Sequence, residues 1–445
     1  MRIVRSLNNN DVKRVALIRH TLPLIIFVEI VPQALATSLY FSDGVALKVF
    51  SAALVAIASY YVFFFLARRV FNDFSIDPIR SVFITPAVIV CLFLLAVAVL
   101  AVTSSDIALL SSLRGADEEA LFNARTAFTK GRSGMELVFV YAYAMILKGA
   151  LPIALMLLFD IRHRRRWIFL GLVLFALLLS LEKFLTAMIL IPIGLYYYLI
   201  DQKKRLLFFV LIGFMFLTLA SMLSGAGSVA NGQLKQSSPN IMAAVYRPVT
   251  AIEIKDSNIA GKFNALNSLG RFTNVSLSNE DNYRFFLGSS GAPYFINRVI
   301  WIPFVTSYDA LKYWQNFHDE TLLFGATSSP VASMFGLTFV NIEQQVFAYQ
   351  YGSSEDDAGR SNTAFFIDSL INFGWLGVVV SAATCGLLFG WFSRCTHPAF
   401  AAATCVTAYS LANNSLLPMI WSGGILLLII LTLMWRSVDK RSSTN

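Results

Sequence analysis

Charge is scarce in this chain, and so are histidine and cysteine. Only 14% of its 445 residues are Asp, Glu, Lys or Arg and 57% are apolar, whereas soluble domains carry roughly 25% charged residues. That balance excludes an ordinary water-soluble domain. The four cysteines (Cys91, Cys385, Cys395 and Cys405) fall inside apolar stretches or at their ends, which leaves no disulfide framework. With four histidines in all there is no Cys/His spacing of a zinc site. No metal and no cofactor is implied. No small-residue cleavage site follows the first apolar run, so that run reads as an uncleaved anchor.

What the chain does have is apolar length. Mean hydropathy is +0.65, and apolar runs recur at the length needed to cross ~30 Å of hydrocarbon at about 1.5 Å per residue. Ten spans are predicted: 21–41, 45–66, 81–102, 138–159, 167–181, 184–200, 206–224, 366–392, 398–412 and 416–434. The fold class is therefore an all-α polytopic membrane protein with one large external loop between the seventh and eighth spans. Three regions result: seven spans over 1–224, the loop over 225–362, and three spans over 363–445.

Charge placement orients the spans. Cytoplasmic ends and loops would hold Arg2, Arg5, Lys13, Arg14 and Arg19, then Arg68, Arg69 and Arg80, then Arg162, Arg164, Arg165 and Arg166. Lys203, Lys204 and Arg205 follow, then Arg394, and lastly Arg436, Lys440 and Arg441. Short segments rich in Lys and Arg stay inside, so both termini are expected in the cytoplasm and the long loop outside. The net charge of +9 sits at these flanks, where anionic lipid headgroups meet it. The loop itself has nine Lys or Arg against eleven Asp or Glu, and no nucleic-acid partner is implied.

Within the loop, 225–240 is rich in Gly, Ser and Gln and reads as a flexible exit. In 297–317 the residues Ile300, Trp301, Phe304, Tyr308, Leu311 and Trp314 recur at helical spacing, the pattern of an amphipathic helix lying in the membrane interface. Residues 116–129 of the smaller outer loop carry a second possible interfacial helix. Asp356-Asp357 reads as a solvated charge run. Among charges inside spans, Glu29 and Lys148 pair with each other, line a wet cavity, or, for Lys148, face a cavity that receives an anionic lipid carrier. Glu182 and Lys183 fall at the outer hinge of two short spans, and Asp368 lies one turn into the eighth span, where the helix dipole favours a carboxylate. Neither an inverted repeat nor a broken midplane helix is legible.

These residues carry a resemblance. Asn297-Arg298-Val-Ile-Trp-Ile-Pro303, Tyr308, Tyr313-Trp314-Gln315-Asn316-Phe317, Ser361-Asn362-Thr363, Ile367-Asp368 and Asn372-Phe373-Gly374-Trp375-Leu376-Gly377 resemble the outer loop and its return to the membrane in bacterial oligosaccharide repeat-unit polymerases. That family makes O-antigen, capsule and exopolysaccharide. The chain departs from it at Ser180-Leu181-Glu182-Lys183, which keeps a cation where many relatives have a Gly-rich turn.

The resemblance implies a glycosyltransferase of the bacterial inner membrane, joining polyprenyl-pyrophosphate-linked oligosaccharides at the outer face. A chain-length regulator and a flippase are the implied protein partners. Displacing a lipid pyrophosphate asks for a fork-like cation and a proton acceptor. Arg298 suits the first role and Asp368 the second. Arg360, Asn362, Lys183 and Lys148 are candidate substrate contacts, and Trp301 and Tyr308 would stack on sugars or anchor the interface. Two alternatives stand beside this reading: an O-antigen ligase or related membrane glycosyltransferase, and a lipid-linked-sugar transporter.

Overall fold

The computed structural model describes residues 9–40, 44–72, 76, 86–116, 118–129, 132–161, 163–230, 300–351 and 360–435. Arg298, Asp356 and Asp357, and 231–240 of the expected flexible exit, lie outside the described residues. All regular elements among the described residues are helices, joined by one isolated bridge between Ile76 and Cys395.

Along the first half run α1 (Asn9–Glu29), α2 (Val31–Tyr40), α3 (Val45–Val70), α4 (Pro86–Thr103), α5 (Ala108–Leu113), α6 (Glu118–Thr129) and α7 (Gly134–Met145). A π turn, Ile146–Ala150, then leads into α8 (Leu151–Asp160), α9 (Arg166–Leu178), α10 (Lys183–Leu199) and α11 (Lys203–Ala230). The second half holds α12 (Ile302–Phe317), α13 (Ser329–Phe335), α14 (Ile342–Tyr351), α15 (Phe365–Phe392), α16 (Pro398–Ala412), α17 (Leu416–Trp421) and α18 (Ile425–Met434).

Among the described residues helix runs through all ten apolar stretches, with the last divided at 422–424 between α17 and α18. Five units are long and apolar enough to cross a bilayer: Asp11–Leu39, Val45–Val70, Pro86–Thr103, Gly134–Asp160 and Phe365–Phe392. Helices α9, α10, α16 and α18 are apolar but shorter. Helix α11 continues to Ala230, past the point where the sequence places the start of the loop.

The tightest helix pair is α3 with α15, and its cause is a small-residue motif. A Cβ on Gly386 would overlap the carbonyl oxygen of Tyr60, and one on Gly390 would overlap Ala67 and the carbonyl of Phe64. Four-residue spacing of glycines lets two backbones approach closely. Opposite them α3 buries Ala52, Ala53, Ala56, Tyr60, Phe64 and Ala67. Its other face leaves Leu47, Leu54, Val62, Phe65 and Leu66 exposed, as a lipid-facing surface requires.

Several long helices are interrupted, which corrects the expectation of unbroken spans, and each interruption has a local cause. Pro32 has no N–H for the carbonyl of Val28, which instead accepts from Gln33 Nε2 at 3.0 Å; α1 ends at Glu29 and α2 begins at Val31. Pro152 likewise cannot donate to the carbonyl of Lys148, and the chain widens to a π turn at Ile146–Ala150. Within α15, Gly374 takes φ 65° and ψ −157°, a conformation close to glycine-only. The carbonyls of Ile371 and Asn372, displaced from the helical ladder, accept from Leu323 N (3.3 Å) and Phe324 N (2.9 Å).

Described parts of the long segment between α11 and α15 are packed onto the bundle. Lys48 at the start of α3 pairs with Glu320 at 2.8 Å, and that hydrogen bond holds the Glu320 carboxyl below its usual range. Gln33 Nε2 also donates to the carbonyl of Ile300 at 3.1 Å. The stripe on α12 is a protein-packing stripe: Phe304, Tyr308, Leu311 and Trp314 are buried in the main core, with α12 lying against α3, α14 and α15. The expected interfacial helix is thus present as a helix, but its aromatic face is turned to protein.

Candidate functional site

On the loop side of the bundle, charged side chains from five elements approach one another. Lys148 sits in the π turn before Pro152. The next residue, Gly149, touches the backbone of Gly424, where a Cβ would meet the Gly424 oxygen at 2.8 Å. This backbone contact with the turn before α18 fixes where the Lys148 ammonium is carried. A π turn inside a helix often marks a functional site.

Glu182 precedes α10 and follows Leu181, which is buried and holds φ 51°. Such a conformation costs a side-chain-bearing residue about 1 kcal/mol. Leu181 is held there by a small cluster with Ala108, Leu121 and Ala124, which also brings Arg125 of α6 toward Glu182. Burial raises the Glu182 carboxyl, and Arg125 and Lys148 oppose that rise.

Glu343, in the first turn of α14, completes the centre. Burial pushes its carboxyl up to about 7; Arg360 and Lys148 pull it down and Asp368 pushes it further up. The chain returns beside it through Arg360, because Ser361 N donates to the carbonyl of Glu343 at 2.9 Å. Taken in order, Arg125, Glu182, Lys148, Glu343 and Arg360 alternate in sign, each within electrostatic reach of the next. Among the described residues, no ion pair within 4.0 Å joins any two of them. The row is therefore held by fields across a distance, without direct ion pairs.

Asp368 borders the group but is built differently. It is 3% exposed. Its Oδ1 accepts from Thr327 Oγ1 at 2.9 Å and from Asn372 Nδ2 at 3.1 Å, and Ser415 adds a further hydrogen bond. Asn372 Nδ2 also reaches Thr327 Oγ1 and the Asp368 carbonyl, both at 2.8 Å, while its Oδ1 accepts from Gly325 N at 2.8 Å. A carboxylate so fully hydrogen-bonded positions its neighbours. Nor does it cap α15, whose N-cap position is Ala364.

The structure thus gathers three of the expected site residues, Lys148, Arg360 and Asp368. Asn362 is exposed on the same return segment. Lys183 is the first residue of α10, adjacent to Glu182. Tyr308 is 2% exposed and packs on Phe304, so it is unavailable to stack on a sugar. Trp301, partly buried, packs on Phe304 from the other side. The expected Glu29–Lys148 pair is not formed: Glu29 accepts from Asn413 Nδ2 at 3.1 Å, and Lys148 lies in the field of Glu182 and Glu343.

Sequence reasoning missed Glu343, Glu182 as a site residue, and Arg125. The one signal for Glu343 is that it ends a stretch, Thr321 to Ile342, with no Asp, Glu, Lys, Arg or His. Comparison with family models, with curated proteins and with solved structures finds no match.

Proposed function

We propose that this protein is a membrane glycosyltransferase that joins polyprenyl-pyrophosphate-linked oligosaccharides into a surface polysaccharide. The observation that carries the reading is the alternating row of separated charges on the loop side. Lys148, Arg360 and Arg125 offer three cations for a pyrophosphate that leaves with its lipid. Arginine forks make paired, charge-assisted hydrogen bonds to phosphate oxygens. Glu343, with no hydrogen bond to its carboxylate among the described residues, is the proton acceptor for the incoming sugar hydroxyl. The bond between anomeric carbon and pyrophosphate breaks, a glycosidic bond to the hydroxyl oxygen forms, and the hydroxyl proton passes to Glu343. Asp368 orients the return segment through Thr327 and Asn372.

Ten crossings with both termini inside belong to this reading. Helix α9 has 13 residues and α10 has 17, about 20 and 26 Å, both shorter than ~30 Å of hydrocarbon. Two short spans recess the outer face where Glu182 stands, at the depth of a lipid pyrophosphate. Reporter fusions after Gly232 and after Asn445 are expected to report opposite sides of the membrane; the same side for both would remove the topology and the outer-face site together.

The helix breaks favour a second reading, a transporter of lipid-linked sugars, because transporters build sites from discontinuous helices. Purified protein in proteoliposomes with a polyprenyl-pyrophosphate-linked oligosaccharide separates the two. Polymerisation yields a ladder of lengthened products with release of polyprenyl pyrophosphate. Transbilayer movement without lengthening would establish the transporter and overturn the polymerase.

A further inference from the structure

The stretch from Thr321 to Ile342 carries no charged residue, with Asp319-Glu320 before it and Glu343 after. Ala326, Ala332 and Ile342 are buried and Leu322 and Leu323 pack on the core, but its other large apolar side chains are not used for packing. Phe324 is 60% exposed, Met334 74% and Phe335 66%, and Leu337 and Phe339 are exposed as well. Such a surface on a segment facing water would be unusual.

Its backbone is tied down at many points. Leu323 N and Phe324 N donate to the carbonyls freed by Gly374, and Gly325 N donates to the Asn372 side chain. Ala326 N bonds Leu323 O, Ser328 N bonds Gly325 O, Val340 N bonds Ala326 O at 2.9 Å, and Leu337 N bonds Ala332 O at 2.8 Å. Non-helical backbone is tolerated at membrane depth when protein satisfies it in this way.

The exposed face is continuous with the exposed face of α15 at the break, where Phe373, Trp375 and Leu376 also point outward. Gly374 lies 18 residues from Phe392 at the other end of α15, about 27 Å along the axis. That places the break near the far edge of a hydrocarbon slab of ~30 Å.

From these observations we propose that residues 321–342 form a membrane-seated element, docked in the break of α15 with Phe324, Met334, Phe335, Leu337 and Phe339 in the acyl chains of the loop-side leaflet. The bilayer is its partner. The element brings lipid to the flank of the charge row, because Thr327 in its middle bonds Asp368 and Glu343 follows its end. The inference needs only that α15 spans, and it stands apart from the catalytic reading.

The test uses the full chain with Cys91 replaced by Ser, since Cys385 and Cys395 are buried and Cys405 is partly buried. Met334→Cys and Phe339→Cys variants are labelled with an environment-sensitive fluorophore and placed in phosphatidylethanolamine/phosphatidylglycerol vesicles. Leu376→Cys serves as the lipid-facing control and Asp319→Cys as the water-facing one. Labels at 334 and 339 are expected to show blue-shifted emission, quenching by acyl-chain spin-labelled lipid comparable to position 376, and protection from iodide. Iodide quenching like that at position 319 would overturn the proposal. So would shielding from both quenchers, which would mean that another protein covers the face. Two positions are used so that one label disturbing the fold does not leave the question open.

Discussion

Polymer formation is expected to fall about 100-fold or more in Glu343→Gln at unchanged protein level, because glutamine keeps the size and hydrogen bonding of the side chain but cannot accept a proton. The pH dependence gives a second, independent signature. The Glu343 carboxyl is raised to about 7, so below that pH the group is protonated and unable to act as a base. Turnover of the unmodified protein is expected to rise through about pH 7, whereas residual turnover in Glu343→Gln should be flat across the same window.

Stability moves the opposite way. A carboxyl raised on folding from 4.5 to about 7 makes the folded chain bind more protons than the unfolded one between those values. Its contribution therefore declines as pH rises from 4.5 to about 7 and is constant above. The glutamine variant should lack that decline. Product ladders resolved by length, together with melting curves across the same pH range, measure both effects. Normal ladders from Glu343→Gln would remove the residue from the chemistry and leave Lys148 and Arg360 as a structural charge row.

The second large effect is expected at Gly386. A leucine there must push α3 away, since even its first carbon overlaps the Tyr60 carbonyl and approaches Phe64 N at 3.0 Å. Neither backbone can yield without moving a helix. Overpacking of this kind costs about 3 kcal/mol or more, and a fall of about 5 °C or more in melting temperature in detergent is expected. Gly171 provides the control: no atom lies within 4 Å of a Cβ built there, and Gly171→Leu should change stability by about 0.5 kcal/mol or less. Equal stability in the two variants would show that the α3–α15 contact is loose.

Apolar run length was enough to find the helices, because a bilayer demands a fixed length of apolar residues whatever their order. It could not find the breaks. The consequences of Pro32 and Pro152 depend on which neighbour takes the abandoned carbonyl, and Gly374 reads in sequence as one more glycine in an apolar span. The Gly386–Gly390 spacing was readable in principle; what hid it was the lack of any sequence clue that Ala53, Ala56 and Ala67 of α3 stand opposite.

The candidate site divides in the same way. Lys148 and Asp368 drew attention as charges in expensive places, and the structure keeps both near the centre. Glu343 is an ordinary acidic residue in the sequence until folding sets it in the field of Lys148 and Arg360. Tyr308, buried against Phe304, shows the reverse error. Helical spacing of aromatics specifies a face, and without the partners in hand a face toward protein and a face toward lipid read alike.

The contact between Gly149 and Gly424 bears on biogenesis. Lys148 and Glu182 are made well before Glu343, Arg360 and Asp368, and the Gly424 backbone that stands against the π turn is made later still. A chain growing from its N-terminus therefore carries Lys148 and Glu182 with most of their neighbours missing. The turn before α18, though it contributes no charge, is the piece that closes the charged centre, so assembly of that centre waits on a segment far along the chain from the residues it encloses.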